Sequence, residues 1–116
     1  MKQLDDVKAE YKKSGLENGK VVELLKVLRE QYKEMSDPTL TKVTRLMYEH
    51  IEANKAFLVD TFEEERGADE ETSFEYLLSI MSDADNKFNR EEIQEYKVLL
   101  LVDLGYQEKA EVVEED

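Results

Sequence analysis

Asp83, Asp85, Asn89 and Glu92 carry side-chain oxygen atoms of the kind that hold divalent cations. Carboxylate and amide oxygens are the ligands that Ca²⁺ prefers in proteins. In a twelve-position calcium loop that starts at Met81, these residues fall at the third, fifth, ninth and twelfth positions, which are ligand positions. This spacing predicts, as one of two functional alternatives, a site that binds a divalent cation weakly.

The stretch from residue 74 to residue 105 resembles an EF-hand helix–loop–helix. Asn86 stands at the position where the family has the glycine of a sharp left-handed turn, and Phe88 stands at the central apolar position. Met81 stands where the family has its first Asp ligand, and thioether sulfur is too soft a ligand for calcium. The resemblance therefore implies weak Ca²⁺ binding at most, and no other cofactor is expected.

The same stretch also resembles the loop and following helix of tellurite-resistance TerB-like helical domains. That resemblance depends on Ala84-Asp85-Asn86, Phe88, Glu91-Glu92 and the closing Leu104-Gly105. It implies a compact all-α fold that is loosely associated with acidic or metal-responsive surfaces, and it specifies no reaction.

Helix capping explains these residues without any ligand. Asn89 followed by Glu92 has the spacing of a capping box, which would open a helix near Arg90. Asp83 and Asp85 would then support the preceding turn. The sequence is compatible with both helix capping and cation binding.

A second acidic group lies between residues 60 and 75, where a single basic residue, Arg66, faces eight carboxylates. Residues 59–116 carry 19 acidic and 5 basic groups, whereas residues 1–58 carry 10 and 11, so the formal charge of −13 arises entirely in the second half. An acidic surface can dock a basic protein partner or imitate nucleic-acid phosphates. Direct nucleic-acid binding is not expected, because Lys and Arg drive it. The predicted partner-binding residues are Asp60, Glu63, Glu64, Glu65, Asp69, Glu70, Glu71 and Glu75.

The sequence contains no set of residues that indicates catalysis. Cysteine is absent, which excludes disulfides, thiolate catalysis and cysteine-containing zinc sites. His50 is the one histidine, so a histidine-rich zinc site and the paired Glu-x-x-His motifs of di-iron bundles are excluded as well. We expect His50 at the edge of the core or partly exposed, and we expect a protein that is not an enzyme.

Apolar residues recur at three- and four-residue spacing, which predicts five helices. Asp37-Pro38 is a strong signal for the start of the third helix. Its apolar face runs from Leu40 to Phe62, so we expect a long helix that ends at Gly67. Thr72 followed by Glu75 predicts a capping box at the start of the fourth helix. The fifth helix is predicted from about Arg90 to Leu104.

These elements predict an all-α fold: a compact bundle of four to five helices with one EF-hand-like helix–loop–helix. We expect one domain over residues 1–105 and an acidic tail over residues 106–116 that is frayed or disordered. The first ten residues, MKQLDDVKAE, lack the apolar stretch of a signal peptide. The longest apolar run, VLLLV at 98–102, is far shorter than the ~20 residues that span a bilayer. We therefore expect a soluble, cytoplasmic protein that does not bind membranes.

The leading functional hypothesis is a small protein-binding module of the inhibitor, immunity or adaptor type. Its acidic second half would contact a partner with a basic surface. The alternative is a module that responds to divalent cations through Asp83, Asp85, Asn89 and Glu92. The sequence does not indicate an oligomeric state.

Overall fold

The computed structural model describes residues 1–108. These residues form five α-helices and no strand: α1 (Lys2–Ser14), α2 (Lys20–Glu34), α3 (Pro38–Asn54), α4 (Ser73–Met81) and α5 (Lys87–Asp103). The predicted all-α bundle of four to five helices is confirmed. Within the described residues, no helix has the length and apolar character that a membrane crossing requires.

The helices pack around one core in a closed order. α2 packs against α1 and α3, α5 packs against α3 and α4, and α1 contacts α4 to complete the ring. Each helix contributes buried apolar side chains at helical spacing, for example Val43, Leu46 and Met47 of α3. The apolar stripes of the sequence therefore face one another, and their burial is the main source of stability.

Side-chain caps fix three of the helix starts. Asp37 accepts a hydrogen bond from the Leu40 N–H at the start of α3, and Thr72 and Glu75 form the predicted capping box at the start of α4. The predicted capping box of Asn89 and Glu92 is wrong. Asn86 caps α5 instead, so that helix begins three residues before the predicted Arg90.

The predicted extension of α3 to Gly67 is also wrong. The helix ends at Asn54, and Lys55 follows in the left-handed conformation with φ of 58°. The Asn54 side chain donates to the backbone carbonyl of His50 at 2.9 Å, which satisfies one carbonyl of the last turn. Residues 55–72, called the connecting segment below, then cross to α4 without forming a helix.

Phe57 of the connecting segment fills the space that this crossing encloses. Its ring lies 5.4 Å from His50, 5.4 Å from Phe74 and 6.3 Å from Tyr96, measured between ring centroids. Contacts at these separations are favourable for aromatic rings. The connecting segment is thus packed onto α3, α4 and α5.

The chain beyond α5 turns back towards α3. The Tyr106 hydroxyl donates to Glu49 at 2.9 Å, and the Tyr106 ring lies 5.8 Å from the guanidinium carbon of Arg45. From residue 109 onwards, the predicted frayed or disordered tail lies outside the described residues.

Candidate docking surface

His50 ties the connecting segment to the bundle. The side chain is fully buried, which corrects the prediction of a core-edge or partly exposed histidine. Its Nε2 accepts the N–H of Leu58 at 2.9 Å, so the ring proton must be on Nδ1, which donates to Asp103 Oδ2 at 2.7 Å. One imidazole thus joins α3, the connecting segment and the end of α5.

Arg66 and Asp60 form a second anchor inside the connecting segment. Arg66 Nε and Nη2 donate to the two Asp60 oxygens at 2.7 and 2.9 Å, a bidentate geometry that orders both side chains. The Arg66 guanidinium lies 5.0 Å from the ring centroid of Phe62 and 5.2 Å from that of Tyr76. The hydrogen bonds from Arg66 hold the pKa of Asp60 below its usual value, and the same bonds raise the pKa of Arg66.

Hydrogen bonds from α4 and α5 complete the anchoring. The Ser73 hydroxyl donates to the Val59 carbonyl at 2.6 Å, and the Tyr96 hydroxyl donates to Asp60 at 3.3 Å. Burial is the main cause of the raised pKa of the Tyr96 hydroxyl. These contacts fix the beginning of the stretch from residue 58 to residue 65, which we call the outer stretch.

The outer stretch exposes apolar and acidic side chains together. Leu58 is 66% exposed and Phe62 is 49% exposed, although the sequence had placed both on the buried face of a long helix. They are exposed because the chain leaves the helix at Asn54 and Phe57 takes the inward position. Glu63, Glu64 and Glu65 follow directly and are also exposed.

The eight predicted partner-binding carboxylates do not all have the same surroundings. Three have local structural roles: Asp60 binds Arg66, Glu70 accepts from the Gly67 N–H at 2.7 Å, and Glu75 accepts from the Thr72 N–H at 2.9 Å. The other five are exposed: Glu63, Glu64, Glu65, Asp69 and Glu71. The free carboxylates are therefore fewer than the sequence suggested.

The second part of the acidic group lines a separate cavity. Asp69, Glu70, Glu71 and Glu75 face a space of ≈ 390 Å³ that is also lined by Lys8 and Lys12 of α1. The two lysines partly offset the negative charge there. Glu63, Glu64 and Glu65 are not among the lining residues, so the acidic group is divided between two places.

The predicted cation loop has the geometry of a helix cap. Asn86 has φ of −67° and ψ of 129°, not the left-handed conformation that the EF-hand resemblance implied. Its side-chain oxygen accepts from the Phe88 and Asn89 N–H groups at 2.9 and 3.1 Å. Phe88 is 75% exposed and lies in the first turn of α5 instead of at a central apolar position.

The predicted ligands of this loop are used differently. Asn89 lies within α5 and donates from Nδ2 to the backbone carbonyl of Asp83 at 3.0 Å. Among residues 1–108, no three His, Cys, Asp or Glu side chains, and hence not Asp83, Asp85 and Glu92, come together as a group that could hold a metal ion. The cation site stays a prediction that this geometry does not support.

No local sequence pattern predicts two features of this surface, namely the hydrogen bonds of His50 and the exposure of Leu58 and Phe62. The hydrogen bonds of His50 join residues that are 8 and 53 positions apart, and no local pattern encodes them. The exposure of Leu58 and Phe62 depends on where α3 ends. The left-handed Lys55 that ends α3 lies within an apolar pattern that continues past it.

Comparisons with family models, with curated proteins and with solved structures found no match. The resemblances of residues 74–105 to EF-hand and TerB-like segments therefore stay predictions. The functional argument depends on the geometry of this chain alone.

Proposed function

We propose that this chain is a non-enzymatic protein-binding module of the inhibitor, immunity or adaptor type. Its contact surface would be the outer stretch, and its partner would be a protein with a basic surface that surrounds an apolar pocket. One observation carries the proposal: Leu58 and Phe62 are exposed on a tightly anchored segment, directly beside Glu63–Glu65.

The anchoring favours binding because it reduces the ordering cost. A loop that must be ordered on binding loses conformational entropy, and that loss weakens the complex. The first residues of the outer stretch are already held: the Leu58 N–H by His50, the Val59 carbonyl by Ser73 and the Asp60 side chain by Arg66. A partner would therefore meet a preformed surface.

The apolar and acidic residues would contribute differently. Complete burial of a Leu or Phe side chain stabilises a complex by ~1.5–3 kcal/mol, so the exposed parts of Leu58 and Phe62 would contribute about 1–2 kcal/mol each. Rim carboxylates change the rate of association and the salt dependence more than the final affinity. Glu63–Glu65 would thus steer the partner, and the two apolar side chains would hold it.

The experiment that tests this proposal has two steps. The chain is used as bait to capture a partner, and the affinity of that partner for purified variants is then measured. Leu58→Ser with Phe62→Ser should weaken binding by about 30-fold or more, since every 1.4 kcal/mol is a factor of ten. Val27→Ser with Met35→Ser is the matched control, because these apolar residues are similarly exposed elsewhere. Equal affinities for the two double variants would refute the proposal.

A second pair of variants tests the steering role. Reversal of Glu63–Glu65 to lysine should slow association at low salt by about tenfold or more and flatten its salt dependence. Reversal of Glu34, Glu91 and Glu95, which are also exposed, should have a smaller effect. An association rate that is unchanged by the first reversal would remove the charge part of the proposal.

The finer parts of the proposal depend on the sequence alone. A cytoplasmic location fits a chain without cysteine, because reducing compartments do not favour disulfides. Mimicry of nucleic-acid phosphates fits the run of three carboxylates at Glu63–Glu65. If a captured partner binds nucleic acid, competition between a duplex oligonucleotide and this chain would test the mimicry directly.

A further inference from the structure

A basic groove lies at the turn between α2 and α3. It encloses ≈ 520 Å³, and its lining residues are Arg29, Lys33, Ser36, Asp37, Pro38, Thr41, Lys42 and Arg45. Four cationic side chains and one carboxylate thus meet in one cavity of a chain whose formal charge is −13. This local charge has the opposite sign to that of the whole protein, and it sits where two helices converge.

The one carboxylate of the groove is already neutralised. Arg90 of α5 donates to both Asp37 oxygens at 3.3 and 3.2 Å, and Asp37 also caps α3 by accepting the Leu40 N–H. Burial alone would raise the pKa of Asp37, but the hydrogen bonds from Arg90 and Leu40 outweigh it and lower the pKa. Asp37 therefore does not cancel the charge of the groove.

The four cationic side chains of the groove differ in the ion pairs that they form. Lys33 and Lys42 are exposed and form no ion pair within residues 1–108. Arg45 pairs with Glu49 at 2.7 Å and Arg29 pairs with Glu30 at 3.1 Å, and both carboxylates lie outside the lining. In the described part of the chain, Arg29 Nε is buried and has no hydrogen-bond partner. Both arginines also keep terminal N–H donors beyond these single pairs.

We propose that this groove binds a small phosphate-bearing anion through Arg29, Lys33, Lys42 and Arg45. Guanidinium and ammonium groups are the side chains that recognise phosphate, the first by paired donors and the second as a compact charge. A volume of ≈ 520 Å³ lies in the usual range for small-molecule sites. The groove shares no lining residue with the outer stretch, and the inference does not depend on the proposed function.

The lining also indicates which part of a ligand is recognised. No aromatic side chain lines the groove, and Pro38 is its one apolar residue. Bases of nucleotides and of single-stranded nucleic acids are held largely by stacking on aromatic rings. The groove therefore selects the phosphate group or groups, as in a diphosphate or a compact phosphomonoester, and not a base.

The test is calorimetric titration of the full chain with pyrophosphate at constant ionic strength, followed by the double variant Lys33→Gln with Lys42→Gln. We expect saturable binding by the wild type and a loss of at least tenfold in affinity for the double variant. Lys13→Gln with Lys20→Gln is the charge-matched control, because both lysines are exposed and neither lines the groove. The control should stay within twofold of the wild type.

Three results would overturn the inference. One is the absence of saturable binding by the wild type. Another is an equal loss of affinity in the control and in Lys33→Gln with Lys42→Gln, which would mean that binding depends only on the overall charge. The third is tighter binding of single-stranded RNA than of pyrophosphate by the same lysines. Should the double variant fail to fold, amide chemical shifts of the wild type decide: pyrophosphate must perturb residues 29–45 most, and a larger change elsewhere refutes the site.

A final experiment tests whether pyrophosphate binds at the groove or at the outer stretch. Leu58→Ser with Phe62→Ser should leave pyrophosphate affinity unchanged, because neither residue lines the groove. A loss of pyrophosphate binding in that variant would place the anion elsewhere. Free inorganic phosphate, a phosphomonoester and pyrophosphate, titrated in parallel, identify the preferred number of phosphate groups.

Discussion

Replacement of His50 in α3 by alanine should loosen the connecting segment, because His50 joins that segment to the bundle. The change removes the acceptor of the Leu58 N–H and the donor to Asp103, at 2.9 and 2.7 Å. A neutral hydrogen bond contributes ~0.5–1.5 kcal/mol and one to a charged group ~1.5–3 kcal/mol. Asp103 is 39% exposed, so the second value belongs near its lower end. With the lost packing of a fully buried ring, we expect a destabilisation of about 3–4 kcal/mol.

Two measurements separate the local effect from the global one. Urea unfolding gives the change in the free energy of unfolding, and native-state hydrogen exchange reports the Leu58 amide by itself. In His50→Ala the protection of that amide should be lost, while amides in the middle of α3 should lose only what the global destabilisation explains. Asn54→Ala is the control, because Asn54 contacts the His50 carbonyl but not Leu58. It should cost about 1 kcal/mol or less.

One outcome contradicts the reasoning directly. If the Leu58 amide in His50→Ala exchanges as slowly as in the wild type, the imidazole does not anchor the connecting segment. His50→Gln offers a second comparison, since its side-chain carbonyl can accept an N–H. It should restore part of the Leu58 protection.

Two further predictions concern the cap of α5 and the ion pair between Asp60 and Arg66. Asn86→Ala should lower the free energy of unfolding by about 1 kcal/mol because it removes the N-cap of α5, and Asn89→Ala should lower it less. Urea unfolding measures both changes. The reverse order would mean that Asn86 is not the cap. The pKa of Asp60 is lowered in the fold, mainly by Arg66, so the stabilisation from this pair is complete above the usual value of 3.8 and is lost as pH falls through the lowered pKa. Asp60→Asn should therefore be less stable than the wild type at pH 7, and the difference should shrink below about pH 4 in unfolding measured at several pH values. A difference that does not change with pH would contradict the pair.

Local signals in the sequence predicted the helix starts well. Asp37 before a proline and Thr72 three residues before Glu75 satisfy helix N–H groups within one turn, so the structure needs no distant residue to define them. At the start of α5 two asparagines compete for the same role. The sequence favoured Asn89 because of Glu92, and the structure uses Asn86.

The end of α3 shows what a local pattern cannot predict. Phe57, Leu58 and Phe62 continue the three- and four-residue spacing of the helix, so the sequence predicted an uninterrupted buried face. The helix stops at Asn54 because partners distant in sequence hold the chain in another path, with Phe57 against Phe74 and the Leu58 amide on His50. Tertiary contacts that override local propensity also explain why His50 is buried and not at the edge.

The candidate sites were predicted to different degrees. The excess of acidic residues after residue 58 indicated where a basic partner could dock, but not that exposed apolar residues stand beside Glu63–Glu65. The basic groove left no local signal at all. Its residues spread over 17 positions of α2, the turn and α3, and their convergence depends on how two helices meet.

The connecting segment divides the chain into two unequal pieces that need each other. It separates α1, α2 and α3 from α4 and α5, yet α3 packs on α5 and α1 contacts α4. A protease that cleaves among the exposed residues Glu63–Glu65 would therefore release no domain. The nicked fragments would stay associated through one shared core, as a split protein that can be reassembled from separately produced halves.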